Sequence, residues 1–288
     1  MKPKITFVSD AHDVRLDKEA YVLNRMGYDI IHITQNIRKI DSFHINLYYE
    51  TPIQLKKAVL LASKETDIFH VHNEPSWMAV AIREVLPKAK IIMDYHDSNY
   101  WRMDLKKNDE LGFNSVFSPD EDIAVPCVDG FVVPSRECAN ELKTRTKKPI
   151  VVLPPACSEH QFRYGPWGSI PSIPGLCIQG GMAISKPGDI YGWRDYTELC
   201  KQLKDKIKIY MYSSYFRIRE YQDHYAPLAH ILTEETFANL LDVMGKHTWG
   251  VVGNITDCPA LKYFMPNKAF DYIAAGVPIV NFGGTAIS

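Results

Sequence analysis

The sequence predicts an α/β protein of two parallel-sheet domains, and three stretches carry that prediction. Residues 4–33 read strand, helix, strand, which is a βαβ opening. Residues 154–174 hold five prolines and two glycines with little periodicity, the composition of a connection between domains. Residues 266–280 compress a proline-led helix start, a helix of about three turns, a Gly stop and a β-branched strand into one helix-to-strand unit. A length of 288 residues favours two domains over one, with boundaries expected at 1–155, a linker over 156–174, and 175–288.

In the first domain the run 4–8 makes a strand, and residues 9–13 form the loop that leaves its C-terminal end. A helix from about Val14 to Met26 follows, with Ala20, Val22, Leu23 and Met26 as its apolar face and Gly27 as its stop. Residues 28–33 are the second strand, and βαβ units bind ligands at the loops after their strands. A helix near 52–64 leads to the strand 67–72, whose nearly continuous apolar character suits a buried parallel strand. His70 and His72 share one face of it. No third ligand follows at useful spacing, so strand-end histidines are expected there rather than a metal site. A helix over 75–85 and a strand over 91–94 come next, and that strand opens into the polar run Tyr95-His96-Asp97-Ser98-Asn99. His96, at a strand's C-terminal end among polar residues, is the best candidate for a contact with reacting atoms. Residues 102–120 read as an irregular, charged loop. Residues 128–135 give a strand, Ser135 caps a helix through Leu142, and 149–155 give one more strand.

The second domain starts with a strand over 175–182 that runs into Gly180-Gly181, where a missing Cβ lets backbone approach a ligand. Arg194 begins a helix toward Leu203, and the alternating strand 207–212 ends in Ser213-Ser214. A helix over 233–244, capped by Thr233, precedes a strand that closes on Asn254. At the last helix the unpaired N–H groups of the first turn and the macrodipole favour a phosphate, and Lys268 adds a cation. Asp271 stands one turn on, placed to accept from a hydroxyl of whatever carries that phosphate. The final strand ends at Asn281, seven residues before the last, so an abbreviated second domain is expected.

Apolar residues at 46% with 23% charged residues describe an ordinary globular protein. No apolar run approaches the roughly 20 residues a membrane span requires. The N-terminus is too soon polar for a signal peptide, and a cytoplasmic location follows as the default expectation. Six scattered cysteines without a C-x-x-C pair point to reduced, packed thiols. A net charge of −1 gives no sign of a strong polyanion-binding surface. Neither a G-x-G-x-x-G after the first strand nor a Walker loop is present, which argues against a dehydrogenase or a P-loop enzyme.

The stretch Pro266-Asn267-Lys268-Ala269-Phe270-Asp271-Tyr272, with Gly276 and Pro278 after it, resembles the P-N-K-x-F-E-Y-x-A-x-G-x-P-V segment of retaining, group 1 (family 4-like) glycosyltransferases. These have the GT-B architecture, two Rossmann-like domains with a cleft between them. The resemblance implies that Asp271 holds the ribose of a nucleotide sugar, in the place where Glu is usual. Tyr263 stands where many members have an acid eight residues earlier. Asp94-Tyr95-His96-Asp97 resembles the family's D-x-H-D element, which places His96 at the donor sugar. Gly181 and Arg194 resemble its Gly-Gly and Tyr-Arg loop, where the arginine neutralises a diphosphate. Ser213, Asn254, Asn267 and Lys268 complete the expected donor site, and Asp13, Arg15 and Asp97 the acceptor side. The family's Gly-rich acceptor loop is absent from the first strand's exit.

The resemblance implies transfer of a hexose-like sugar from a UDP- or GDP-sugar to an acceptor hydroxyl, with retention, without a metal and without a further cofactor. A saccharide, a lipid-linked glycan, a small molecule or a modified base in DNA are the acceptors it leaves open. A non-catalytic nucleotide-sugar-binding module is the reading from another class, and a nucleotide-sugar epimerase a third.

Overall fold

A computed structural model describes residues 2–10, 14–35, 43–72, 76–96, 98, 118–157, 162, 171–185, 192–233, 237–255, 259–263, 265–283 and 286–287. Asp13 and Asp97, two of the three acceptor-side candidates, lie outside the described residues. The described residues up to Leu153 form one compact unit and those from Pro154 onward another.

The first unit runs β1 (Ile5–Ser9), α1 (Val14–Arg25), β2 (Ile30–Thr34), β3 (Ile45–Tyr48), α2 (Pro52–Ala62), β4 (Ile68–His72) and α3 (Trp77–Val85). It continues through β5 (Lys90–Asp94), α4 (Ser118–Cys127), β6 (Gly130–Val133), α5 (Arg136–Leu142) and β7 (Ile150–Val152). Its seven strands are all parallel in the order β3-β2-β1-β4-β5-β6-β7. The chain goes outward from β1 to β3 and then returns to β4 on β1's other side. This is the strand-order reversal at which open α/β sheets place their ligands. Every residue of β2 is buried, and β1 and β4 are buried from their second residue on, as central strands covered on both faces must be.

The second unit holds β8 (Ile173–Gln179), α6 (Thr197–Leu203), β9 (Ile209–Tyr212), α7 (Arg219–Tyr225) and β10 (His230–Leu232). After these come α8 (Phe237–Met244), β11 (His247–Gly253), α9 (Asn267–Ala274) and β12 (Ile279–Phe282). Its five parallel strands lie in the order β10-β9-β8-β11-β12, so the reversal falls between β8 and β11. Alternate residues feed two cores. Leu176, Ile178, Ile209, Met211 and Val251 face Tyr196, Leu199 and Cys200, whereas Cys177, Tyr212 and Val252 face Leu240, Met244, Ala269 and Tyr272. The sheet is therefore covered on both sides, and the protein has two Rossmann-like domains.

Several boundaries differ from expectation. The buried face of α1 is Arg15, Leu16 and Ala20, while Val22 and Met26 are about half exposed. Leu16, Ala20 and Leu23 fall at i, i+4 and i+7 and pack with Phe7 and Ile30, so the stripe is rotated from the one expected. Residues 118–120 begin α4 rather than end a loop. Strands β3 and β10 and helix α7 lie in stretches where none was expected; both strands are sheet edges of three or four residues with mostly exposed or half-buried side chains. Helix α9 spans eight residues instead of about three turns, and Gly276 after it takes φ 72° as the expected stop. Cys138, Cys177 and Cys200 are buried free thiols, and burial pushes all three up to about 12.

Candidate active site

In the first domain, the C-terminal ends of β4 and β5 and the first turns of α1 bring six polar side chains together. Arg15 and Glu19 are one helical turn apart on α1, beside the apolar stripe, and so point inward with it. Arg15 Nε donates to Asp94 Oδ2 at 2.7 Å and lies 3.2 Å from Glu19 Oε1. His96 Nδ1 is 2.8 Å from Asp94 Oδ1, and His72 Nε2 is 3.5 Å from Asp94 Oδ2. His70 Nδ1 and His72 Nε2 each stand 3.8 Å from Glu19 Oε2. Asp94 is fully buried at the hub of this group. Two of the candidates, Arg15 and His96, thus meet on one carboxylate.

The charges sort themselves by environment. Burial alone would raise the Asp94 carboxyl, but His96, His72 and Arg15 outweigh it and hold Asp94 well below the usual carboxylate range. Glu19 goes the other way: burial, then the Asp94 charge, pushes its carboxyl up to about 9. Burial likewise pushes the His70 imidazole down to about 4, so it is neutral near pH 7. The third metal-type donor missing from the local sequence is supplied across strands. Donor atoms of His72, Asp94 and His96 lie within 4.8 Å of one another, as do those of Glu19, His70 and Asp94. Arg15 already places a cation on Asp94, which makes the set a hydrogen-bonded ion group.

The turn after β5 is tied down from behind. Tyr95 Oη meets Ser98 Oγ at 2.8 Å and donates to Glu121 on α4, Ser98 Oγ reaches the same Glu121 oxygen at 2.9 Å, and Arg145 donates to Tyr95 Oη. Tyr95 and Ser98, on either side of His96, are therefore both fixed on buried groups.

In the second domain the C-terminal ends of β8 and β11 face the start of α9. Gln179 Nε2 donates to Asp271 Oδ2 at 3.1 Å, and both residues are buried. Lys268 Nζ donates to Tyr196 Oη at 2.6 Å and lies 5.0 Å from the centre of its ring. Gly180 takes φ 103°, and a Cβ there would meet nothing within 4 Å, so backbone faces open space at the end of β8. At Gly181 an added Cβ would stand 3.0 Å from Arg194 Nη1, and the Arg194 guanidinium lies 4.6 Å from the Trp193 ring centre. Asn267 Oδ1 is buried without a hydrogen-bond partner among the described residues.

Two of the expected donor contacts, Asn254 and Ser213, make hydrogen bonds with backbone. Asn254 is fully buried; its Nδ2 donates to the carbonyls of Trp193 at 3.0 Å and Asp195 at 2.7 Å, and its Oδ1 accepts from Ile255 N. Its amide is spent on holding the Arg194 turn. Ser213 Oγ accepts from Tyr215 N at 3.3 Å and caps a short 3-10 turn.

Sequence reasoning missed Glu19, Asp94, Gln179 and Tyr196. The i, i+4 spacing of Arg15 and Glu19 was the available signal for the first, and the D-x-H-D stretch that begins at Asp94 for the second. A glutamine closing a strand just before Gly-Gly was the signal for the third.

No protein-family model matches the chain, and no curated protein matches it by sequence. Solved structures do match it by fold. Sucrose-phosphate synthase from Thermosynechococcus elongatus is 12% identical with a TM-score of 0.69, covering 98% of this chain and 82% of that one. An α-glucosyltransferase solved with UDP-glucose and DNA containing an abasic site is 12% identical with a TM-score of 0.55, covering 98% and 79%. UGT2 of Phytolacca americana, solved with UDP-2-fluoro-glucose and pterostilbene, is 10% identical with a TM-score of 0.53, covering 99% and 82%. The fold is that of GT-B glycosyltransferases. Among the described residues no helix is long and apolar enough to cross a membrane.

Proposed function

We propose that the protein is a glycosyltransferase that moves a hexose from a nucleoside-diphosphate sugar, UDP- or GDP-linked, to an acceptor hydroxyl. The observation that carries this reading is the second domain's strand-order reversal, where Gln179, Gly180, Lys268 and Asp271 collect at the start of α9. A carboxylate oriented by a glutamine suits a ribose hydroxyl. Free backbone N–H groups beside a lysine suit a diphosphate, whose charge must be met as it leaves. The three matched structures named above are a synthase, a glucosyltransferase and UGT2, the last two solved with UDP-sugars, which supports the same reading. Lys268 and Arg194 serve the leaving group in place of a metal, and the product keeps the anomeric configuration. On the first domain, His96 meets the reacting atoms of the donor sugar, and Asp13, Arg15 and Asp97 form the acceptor side, which takes a saccharide, a lipid-linked glycan, a small molecule or a modified DNA base.

Thermal unfolding with a panel of nucleoside diphosphates and nucleotide sugars tests the donor site. One base is expected to stabilise selectively, by about 2–3 kcal/mol at a hundredfold excess over Kd. Lys268→Ala is expected to weaken that ligand about tenfold or more. No shift from any nucleotide in the folded protein would overturn the proposal. With the donor in hand, the anomer of the product by NMR and its yield in the presence of a chelator test retention and metal independence.

A further inference from the structure

The first domain's buried group contains a residue to which neither the resemblance nor the matched fold gives a part. Glu19 is 12% exposed, has Arg15 Nε 3.2 Å from its Oε1, and stands 3.8 Å from both His70 and His72 through its Oε2. One of its carboxylate oxygens lies within 4.8 Å of one of Asp94's. Two carboxyls this close in a dry site hold one proton between them, because two adjacent buried anions repel. Asp94 carries the stronger claim to the negative charge, with Arg15 at 2.7 Å and His96 at 2.8 Å. Glu19 is left with the proton.

We propose that Glu19 is a positioning residue that works as a neutral acid, donating its proton in a hydrogen bond to Asp94 and so fixing the carboxylate that orients His96. With Arg15 on Oδ2, Asp94 Oδ1 is left to accept from His96 Nδ1–H. That leaves His96 Nε2 as the ring's acceptor atom. The groups facing Glu19 are Arg15 from its own helix, His70 and His72 from β4, Asp94 at the end of β5 and His96 just after it. An ionised Glu19 would put a second anion against Asp94 and offer His70 and His72 a competing partner. The consequence for His96 rests on the transfer reading above; the shared proton does not.

The test separates the two. In protein labelled at the glutamate Cδ, one carboxyl carbon is expected to keep its protonated chemical shift until about pH 9 while the others titrate near the ordinary value of about 4.3. That signal is expected to vanish in Glu19→Gln. All glutamates titrating below about pH 6 would overturn the proposal whatever the protein's activity. This reading needs only the wild type and stands even if a variant fails to fold. For the positioning role, Glu19→Gln keeps a donor and is expected to retain transfer within about threefold. Glu19→Ala is expected to lose about tenfold or more in kcat with the donor KM unchanged. Equal losses in the two variants would overturn the positioning role and leave the shared proton standing.

Discussion

Arg15 shows how much a single side chain decides here. It is 3% exposed, and its Nε is the cation nearest to a carboxylate with no contact with water at all. A buried charge without a partner costs far more than the pair gains over an apolar substitute. Arg15→Met is therefore expected to destabilise the first domain by about 3–5 kcal/mol, read from urea unfolding. Arg15→Lys keeps the charge and loses the planar fork, so it is expected to recover only part of that. A Met variant within about 1 kcal/mol of wild type would mean that Asp94 is neutral and that Arg15 does not set its charge. Asn254 makes the complementary case. Its polar atoms all meet backbone, so what it does is hold Trp193 and Asp195 in place.

The packing of α9 on β11 leaves no slack. A Cβ at Gly250 would stand 2.4 Å from the Tyr272 ring, which is fully buried and donates from Oη to the Cys177 carbonyl at 2.8 Å. Gly250→Ala is expected to cost about 1–3 kcal/mol by overpacking and, by displacing α9, to weaken nucleotide binding as well. A variant that melts with wild type would show that the helix moves freely on the sheet. The strands and helices that stack into the two sheets were legible because apolar runs and Gly or Pro stops are local signals. The elements that were not legible have physical reasons. Strands β3 and β10 lie at sheet edges with little buried side-chain surface and so carry weak patterns. Helix α4 hides behind Pro119, a run of acids and Pro126 near its end. The face of α1 was misread because Arg15 and Glu19 occupy inward positions that a hydrophobicity pattern assigns to solvent. Arg15 and Asp94 are 79 residues apart, and only the parallel order of β1, β4 and β5 brings them together. The stretch from Pro266 to Asp271 was legible for the opposite reason, since its helix start, lysine and carboxylate lie within six residues of one another.

Each domain gathers its polar residues where its strand order reverses, and the two gatherings differ in chemistry. The second offers a lysine, a carboxylate and open backbone; the first is a dry ion group whose protonation is linked to stability. That linkage fixes a pH profile for the first domain. Glu19 rises from the ordinary 4.5 to about 9 on folding, so the folded state binds the extra proton. Its stabilisation is complete below about pH 4.5 and is lost as pH rises toward 9, at about 1.4 kcal/mol per unit. His70 falls from 6.5 to about 4, so the unfolded state binds the extra proton. Its stabilisation is complete above about pH 6.5 and is lost as pH falls toward 4, with the same slope. Between about pH 4.5 and 6.5 the two slopes oppose and nearly cancel; above 6.5 only the Glu19 loss remains. Below that plateau Asp94, whose carboxyl is depressed, adds a further loss as it takes up its proton. The free energy of opening, read from amide exchange in β1 and β4, is expected to be level from about pH 5 to 6.5 and then to fall toward pH 9. Glu19→Gln is expected to remove that fall, because a permanently neutral side chain has no proton to lose. Stability that stays level from pH 6.5 to 9 in the wild type would mean that Glu19 is already ionised in the folded protein.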